Sequence, residues 1–299
     1  MTAARPFVDR RVEHLETAAA AAAVAATTWD LQPPELLRRG MNGIYSCGEV
    51  VLRVGRATAA ATSSHELARV LAGHGVPVAT PIDGAADDIG GYAVTAWERI
   101  RPVDAPVDWR VIGAAVLRIH ELDQVAIPDG YPLPPPVAFP WWDFDSSLAA
   151  LSDHIDEGAL TGLRRAVDDG RWWTEAIGEG GVVCHGDVHP GNVLMSADGP
   201  VLIDFDLLCR AAPAWDHAML TTYADRWGGD PGVYRAFADG YGRSLADDDL
   251  TVVLASLRNV AATLMRIRAG ITDDAARAEA ERRLRYWRGV PDAPQWRAQ

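Results

Sequence analysis

Two short apolar runs, each followed at once by a cluster of polar residues, constrain this chain more than any other part of its sequence. The first run, residues 182–183, leads into residues 185–194, which read His-Gly-Asp-Val-His-Pro-Gly-Asn-Val-Leu. The second run, residues 201–203, leads into Asp-Phe-Asp at 204–206. Short apolar runs bounded by Gly and Pro are typical of buried strands. We therefore expect both strands to deliver their polar residues to one cleft.

Three side chains in these clusters match what phosphoryl transfer requires. Asp187 lies on the first loop, Asn192 follows five residues later, and Asp204 ends the second strand. One Asp can accept the proton of an attacking hydroxyl, while an Asn and a second Asp offer the hard oxygen ligands that Mg²⁺ prefers. The Asp-x-x-x-x-Asn spacing agrees with a kinase catalytic loop, although Gly186 stands where that loop has Arg. The alternative is a polar loop that contains these residues by chance.

The pattern His-Gly-Asp-x-His-Pro-Gly-Asn, with the Ile-Asp-Phe that follows it, resembles the aminoglycoside phosphotransferase family, which includes choline-kinase-like small-molecule kinases. The resemblance extends over about residues 36–265. It implies an α+β, bilobal protein-kinase-like fold, with an antiparallel sheet and one helix in a small N-lobe and a larger, mainly helical C-lobe. It also implies ATP or GTP with Mg²⁺ as cofactors, Asn192 and Asp204 as metal ligands, and Asp187 as the catalytic residue at the acceptor hydroxyl.

The order of patterns along the chain predicts three parts: a helical arm over residues 1–35, an N-lobe over 36–100 and a C-lobe over 101–299. The arm is predicted to hold a helix at about 9–28, because this stretch is rich in Ala, the residue with the highest helix propensity. Short strands separated by Gly-containing turns are predicted from residue 36 onward. Beyond residue 108, helices with one apolar face predominate.

Several N-lobe residues are assigned to the nucleotide by the resemblance. Gly40, Asn42 and Gly43 lie in a G-x-x-G loop whose backbone N–H groups would approach the phosphates, although a plain turn is the alternative for so short a motif. Arg53 stands where a kinase has its third-strand Lys, and its guanidinium suits phosphate oxygens. On the next helix, Glu66 is predicted to form an ion pair with Arg53. An ordinary exposed strand arginine is the alternative for Arg53.

Residues 97–100 are predicted to form the hinge between the lobes. The hinge backbone would hydrogen-bond the adenine edge, while apolar side chains would enclose the ring. The predicted nucleotide site therefore also includes Trp97, Glu98 and Ile100, together with Ile203 from the strand before Asp204.

A Pro- and aromatic-rich segment contains Trp141, Trp142 and Asp143, which are predicted to form one wall of an acceptor pocket. Aromatic faces and carboxylates suit a cationic or sugar-like ligand. Packing of this segment over the large lobe is the alternative. Asp206 and Asp216 are further acidic candidates, and Asp216 is also predicted to cap the next helix and brace the catalytic loop.

The chain carries a formal net charge of −13, from 41 acidic and 28 basic residues, and every basic residue is Arg. Such a surface disfavours nucleic acid and anionic membranes as partners and favours cationic small molecules, with solubility as the alternative role. Cys47, Cys184 and Cys209 include no C-x-x-C pair, so neither a disulfide framework nor a zinc site is indicated. The Ala-rich run at 18–26 is too short to span a bilayer, and a cytoplasmic location is expected.

These features together predict an enzyme that moves the γ-phosphate of ATP or GTP to a hydroxyl of a small polar, cationic acceptor, such as an aminoglycoside or amino sugar. Kinases of choline, homoserine or macrolides carry similar signatures and remain open, as do the oligomeric state and a role in resistance or metabolism. A nucleotide-binding regulator without catalysis is the alternative from another class. Loss of Asp187, Asn192 or Asp204 would mark it, and all three are present.

Overall fold

A computed structural model describes residues 14–56, 59–176 and 181–297. The predicted helix at 9–28 begins outside this range, and its described part starts at residue 15. In chain order the helices are α1 (Leu15–Thr28), α2 (Ala61–Gly73), α3 (Trp109–His120), α4 (Phe144–Leu151), α5 (Glu157–Asp169), α6 (Trp173–Ala176), α7 (Ala214–Thr221), α8 (Tyr223–Trp227), α9 (Gly232–Tyr241), α10 (Asp249–Gly270) and α11 (Asp274–Trp287). The strands are β1 (Glu35–Arg39), β2 (Gly43–Cys47), β3 (Val50–Gly55), β4 (Pro81–Ile89), β5 (Tyr92–Glu98), β6 (Val182–Cys184), β7 (Val193–Ser196), β8 (Gly199–Leu202) and β9 (Cys209–Ala211).

The N-terminal part is an antiparallel sheet in the order β1-β2-β3-β5-β4. Helix α1 covers it through Ala18, Ala22 and Ala25, which are fully buried in one cluster with sheet residues such as Leu52 and Val94. Alanine at these positions lets the helix backbone approach the sheet closely. Strand β3 lies at the centre of the sheet, so the residues on β3 are held from both sides by its hydrogen-bonded neighbours.

The C-terminal part is mainly helical and is built around α10. By length and composition α10 is the one helix of the described ranges that could cross a membrane, but most of it is buried inside the protein. A second apolar cluster joins the two parts, because Leu67 and Leu71 of α2 pack with Ile112 and Val116 of α3. The antiparallel sheet followed by helices confirms the predicted α+β fold class. The boundaries near residues 35 and 100 stay predictions.

His65 lies on α2 at the seam between sheet and helices. Its side chain is 3% exposed, and its ring meets Trp97 edge-on with 4.8 Å between centroids. Burial, together with the nearby Arg69 charge, lowers the pKa of His65 to about 4. An unfolded chain has a histidine pKa of about 6.5. The neutral ring therefore stabilises the fold above pH 6.5, and this stabilisation is lost as the pH falls towards 4.

We expect His65→Phe to make stability less sensitive to acid. The decrease in unfolding free energy between pH 7 and pH 5 should become smaller by about 2 kcal/mol, because the variant no longer takes up this proton on unfolding. Urea denaturation at the two pH values measures the difference. His74→Gln, at an exposed position of the same region, serves as the control and should keep the pH dependence of the parent. An equal decrease in His65→Phe and the parent would contradict this assignment.

Candidate active site

Two short antiparallel strand pairs bring the predicted catalytic residues together. Strand β6 pairs with β9 and ends directly before the loop that carries Asp187. Strand β7 pairs with β8, so Asn192, just before β7, lies beside Ile203, just after β8. The Ile203 N–H donates to the Asn192 carbonyl at 3.0 Å. Because Asp204 is the next residue, this register places the predicted metal ligands at the same edge of the cleft.

Asp187 is held by three side chains. Asn192 Nδ2 donates to the Asp187 carbonyl at 2.9 Å and to its Oδ2 at 3.1 Å. His189 Nε2 lies 3.3 Å from Oδ2, and Arg258 donates to Oδ1 at 2.9 Å. Burial raises the pKa of Asp187, but His189 and Arg258 outweigh burial and hold this pKa well below its usual range. The carboxylate is therefore ionised and oriented at neutral pH.

Arg258 is the site residue that the sequence analysis missed. It lies on α10, its side chain is 6% exposed, and it donates to the Gly186 carbonyl at 2.8 Å as well as to Asp187. Its guanidinium also lies 4.9 Å from the centre of the Trp215 ring. One signal was available, since Arg258 is the only charged residue between positions 250 and 265. A lone charge in an apolar helix is expected to be paired when it is buried.

The backbone at Gly186 explains why no arginine directly precedes Asp187. Its φ is +91°, and a Cβ at this position would lie 1.8 Å from the Leu207 carbonyl oxygen. Only glycine tolerates both the left-handed backbone and this close approach. Arg258 brings a guanidinium to the catalytic loop from a distant helix instead.

We expect Arg258→Met to weaken both the fold and turnover. The change removes two hydrogen bonds made by a charged donor, so the unfolding free energy should fall by about 3 kcal/mol. With Asp187 less constrained, kcat should fall by roughly 10- to 100-fold. Arg258→Lys should recover part of the stability, because it keeps the charge but not the two-pronged geometry. Chemical denaturation and steady-state kinetics measure both effects.

The matched control for Arg258 is Arg268→Met, at an exposed position near the end of the same helix. This control should change neither the unfolding free energy nor kcat appreciably. Wild-type turnover in folded Arg258→Met would show that Arg258 does not position Asp187.

The Asp216 side chain holds the start of the loop that carries Asp187. Its carboxylate accepts hydrogen bonds from the backbone N–H groups of His185 and Gly186, both at 2.8 Å, and lies 3.0 Å from His120 Nε2. His120 in turn contacts the Tyr241 hydroxyl at 2.9 Å. The prediction of a brace thus agrees with the structure, but two other predictions for Asp216 are wrong. Its carboxylate lies within α7 without capping it, and it is fully buried, so it cannot contact an acceptor.

The segment after β8 carries a compact group of charges. Asp204 has a φ of +66°, a left-handed conformation that Asp adopts more readily than most residues. Arg53, on the central strand β3, forms an ion pair with Asp206 and lies 3.9 Å from Asp204. Burial and the neighbouring Asp206 raise the pKa of Asp204. The predicted ion pair between Arg53 and Glu66 is wrong, because Glu66 is exposed and Arg53 instead faces these two carboxylates.

The donor atoms of Asn192 and Asp204 fit a divalent cation. Both hydrogen bonds of the Asn192 side chain use Nδ2, so its amide oxygen has no protein partner among the described residues. The Asp204 side chain is 43% exposed to the cleft. Two hard oxygen atoms next to a second carboxylate suit Mg²⁺ better than a soft metal.

A large cavity of about 550 Å³ lies between the sheet and these loops. The predicted nucleotide residues that line it are Gly40, Asn42, Arg53, Trp97, Glu98, Ile100 and Ile203. Gly43 does not line it, because it is buried at the start of β2 and pairs with Arg39 and Val54. The Glu98 and Arg99 amides already donate to the carbonyls of Thr80 and Glu49.

A smaller cavity of about 230 Å³ is lined by Asp187, Trp141, Asp204 and Asp206 among others. It shares Asp204 and Asp206 with the large cavity, which Asp187 does not line. Of the three residues predicted to form an acceptor wall, only Trp141 lines this cavity. Trp142 is 5% exposed and packs against Trp173 and Trp215. Asp143 caps α4 by accepting a hydrogen bond from the Ser146 N–H at 3.2 Å. These two residues therefore stabilise the large helical part and do not line the cavity.

Comparison of the sequence with known families gives one match. A sequence profile described as the phosphotransferase enzyme family matches residues 43–255, more than two thirds of the chain. No curated protein sequence matches the chain.

Solved structures with a similar fold include several small-molecule kinases. A spectinomycin phosphotransferase in complex with ADP and spectinomycin is 17% identical, covers 88% of this chain and 90% of its own, and has a TM-score of 0.64. An amicoumacin kinase in complex with AMP-PNP, Ca²⁺ and a ligand named Ami is 15% identical, with coverages of 91% of this chain and 94% of its own and a TM-score of 0.65. A choline/ethanolamine kinase family protein from Mesorhizobium loti is 18% identical, with coverages of 88% and 89% and a TM-score of 0.63. At these identities the likeness establishes the kinase-like fold.

Proposed function

The chain belongs to the phosphotransferase enzyme family, a family of small-molecule kinases, and we propose that it transfers the γ-phosphate of Mg·ATP or Mg·GTP to a hydroxyl of a small molecule. The observation that carries this proposal is the environment of Asp187. A buried arginine, a histidine and an asparagine all hold one carboxylate in the smaller cavity, which shares Asp204 and Asp206 with the larger cavity. Such an arrangement suits a group that orients a hydroxyl for attack.

The nucleotide is assigned to the 550 Å³ cavity. Arg53 would contact its phosphates, because this side chain lies on the central strand, lines the cavity and already faces carboxylate oxygens. The backbone N–H of Ile100 would donate the hinge hydrogen bond to the base, because the N–H groups of Glu98 and Arg99 already donate to protein carbonyls. Trp97 and Ile203 line the same cavity and offer apolar surface to the base.

Asn192 and Asp204 would hold Mg²⁺ through their oxygen atoms. The bound cation would neutralise charge on the phosphates and align them. Asp187 orients the acceptor hydroxyl and takes its proton as the acceptor oxygen forms a bond to the γ-phosphorus. The bond between that phosphorus and the bridging oxygen breaks, and the nucleoside diphosphate leaves. The protein forms no covalent intermediate in this scheme.

The test is an assay of ADP or GDP release with Mg·ATP and Mg·GTP against aminoglycosides, amino sugars, choline and uncharged alcohols. We expect nucleotide binding and acceptor-dependent release that require Asp187. Absence of nucleotide binding would overturn the proposal.

A further inference from the structure

The cavity beside Asp187 is lined mainly by apolar side chains. Met41, Trp141, Leu207, Met219, Ala261 and Met265 form its walls. Three of the five methionines of the chain are in this group. Methionine is flexible and polarizable, so methionine-rich walls adapt to apolar ligands of varied shape.

One face of α10 supplies much of this wall. Arg258, Ala261, Ala262 and Met265 follow each other at the i, i+3, i+4 and i+7 positions, which lie on the same side of a helix. Arg258 stands at the Asp187 end of this row, and Met265, at 47% exposure, stands at the other end. A ligand that extends away from Asp187 along α10 would therefore meet alanine and methionine.

The three carboxylates that line the cavity already have partners or an assigned role. Asp187 is paired with Arg258 and His189, and Asp206 is paired with Arg53. Asp204 is assigned to the metal. No further carboxylate of the described residues lines this cavity. Ammonium groups of an aminoglycoside would therefore be desolvated there without compensating charge.

We propose that the acceptor is a hydroxyl compound with an uncharged, apolar body, which lies against α10 and Trp141 while its hydroxyl faces Asp187. This inference rests on the proposed kinase function and names its substrate class. It differs from the cationic acceptor expected from the net charge of the chain, because that charge is summed over 41 acidic residues, and only the three carboxylates named above line this cavity among the described residues.

The test uses two series of simple acceptors of equal length, the 1-alkanols from ethanol to 1-hexanol and the corresponding ω-amino-1-alkanols, with Mg·ATP and the full chain. We expect kcat/KM for the alkanols to rise with length by up to about fourfold per methylene, as burial of each CH₂ predicts. We expect 6-amino-1-hexanol to be at least about tenfold poorer than 1-hexanol, because its charge would enter an apolar site. Alkyl phosphate formation and ADP release are measured together.

Variants of α10 separate the cavity wall from the rest of the protein. Met265→Glu should reverse the preference towards the amino-alkanol, while Met265→Leu should keep the preference for the alkanol. Val252→Glu introduces the same charge at a 56% exposed position of the same helix that does not line the cavity, and it should behave as the parent.

The outcomes distinguish the acceptor class from the kinase function. Transfer that favours the amino-alkanols, or no dependence on chain length, would overturn the apolar acceptor while leaving the kinase in place. The phosphoryl group could instead be transferred mainly to water, in an ATP hydrolysis that requires Asp187. The alkanols should then inhibit this hydrolysis more strongly as their chain length increases. Inhibition that does not depend on chain length would also overturn the apolar acceptor. Absence of nucleotide binding and of any Asp187-dependent hydrolysis would instead refute the proposed function.

Discussion

Replacement of Asp187 by Asn is expected to lower kcat by about 10³-fold, the size of effect typical of a positioned general base. An amide cannot take the proton of the acceptor hydroxyl, and it loses the charge that pairs with Arg258. The Asn side chain has nearly the same shape, so the fold should persist. KM for the nucleotide should change little, because Asp187 does not line the large cavity. Steady-state kinetics with the best acceptor, together with circular dichroism, measure these expectations.

Asp198→Asn is the matched control for this variant. Asp198 is an exposed carboxylate in the turn between β7 and β8, close to the site in sequence but outside both cavities. It should retain the turnover of the parent. A folded Asp187→Asn protein with rates close to the parent would remove Asp187 from the catalytic role.

Replacement of Asp204 by Asn is expected to raise the Mg²⁺ concentration needed for half-maximal activity and to lower kcat by roughly 10²- to 10³-fold at fixed Mg²⁺. A carboxylate is a stronger ligand for a hard cation than an amide, and metal neutralisation of phosphate charge supplies several kcal/mol in the transition state. Asp204 is the most exposed carboxylate of the Arg53 group, at 43%. A titration of activity against Mg²⁺ provides the measurement.

The variant Asp206→Asn distinguishes the loss of a metal ligand in Asp204→Asn from the loss of one negative charge at this site. Asp206 is the direct ion-pair partner of Arg53, so its replacement should mainly change KM for the nucleotide. The Mg²⁺ requirement should change less than in Asp204→Asn. An unchanged Mg²⁺ requirement in Asp204→Asn would show that the cation is held elsewhere.

The clustering of Asp187, Asn192 and Asp204 was predictable because their relation is local. Asp187 and Asn192 are five residues apart on one loop, and Asp204 follows the strand that pairs with the strand after Asn192. In a motif of this kind, residues close together in the sequence fix both which side chains are present and how they are arranged. The three strands around the Gly-containing turn, at residues 35–55, were predictable for the same reason, since alternation and turn residues act over short distances.

The partners of charged side chains were not predictable in the same way. Glu66 follows the strand of Arg53 at the spacing of a kinase helix, but the rotation of α2 leaves it exposed, and Arg53 turns to Asp206, 153 residues away. Asp216 and Trp142 belong to motif-like segments, yet both are buried by helix packing and are closed to an acceptor. A helix pattern indicates which residues share a face, but not which neighbour that face meets.

The sequence alone determined the fold class, the family and the grouping of the three residues proposed for catalysis. Only the tertiary structure decided how Asp187 is held and which side chains line the cavity beside it. Arg258 reaches Asp187 across 71 residues, and the same helix face continues into an apolar wall. The physical reason is that local patterns depend on backbone geometry over a few residues, whereas charge pairing and cavity lining depend on which distant faces pack together.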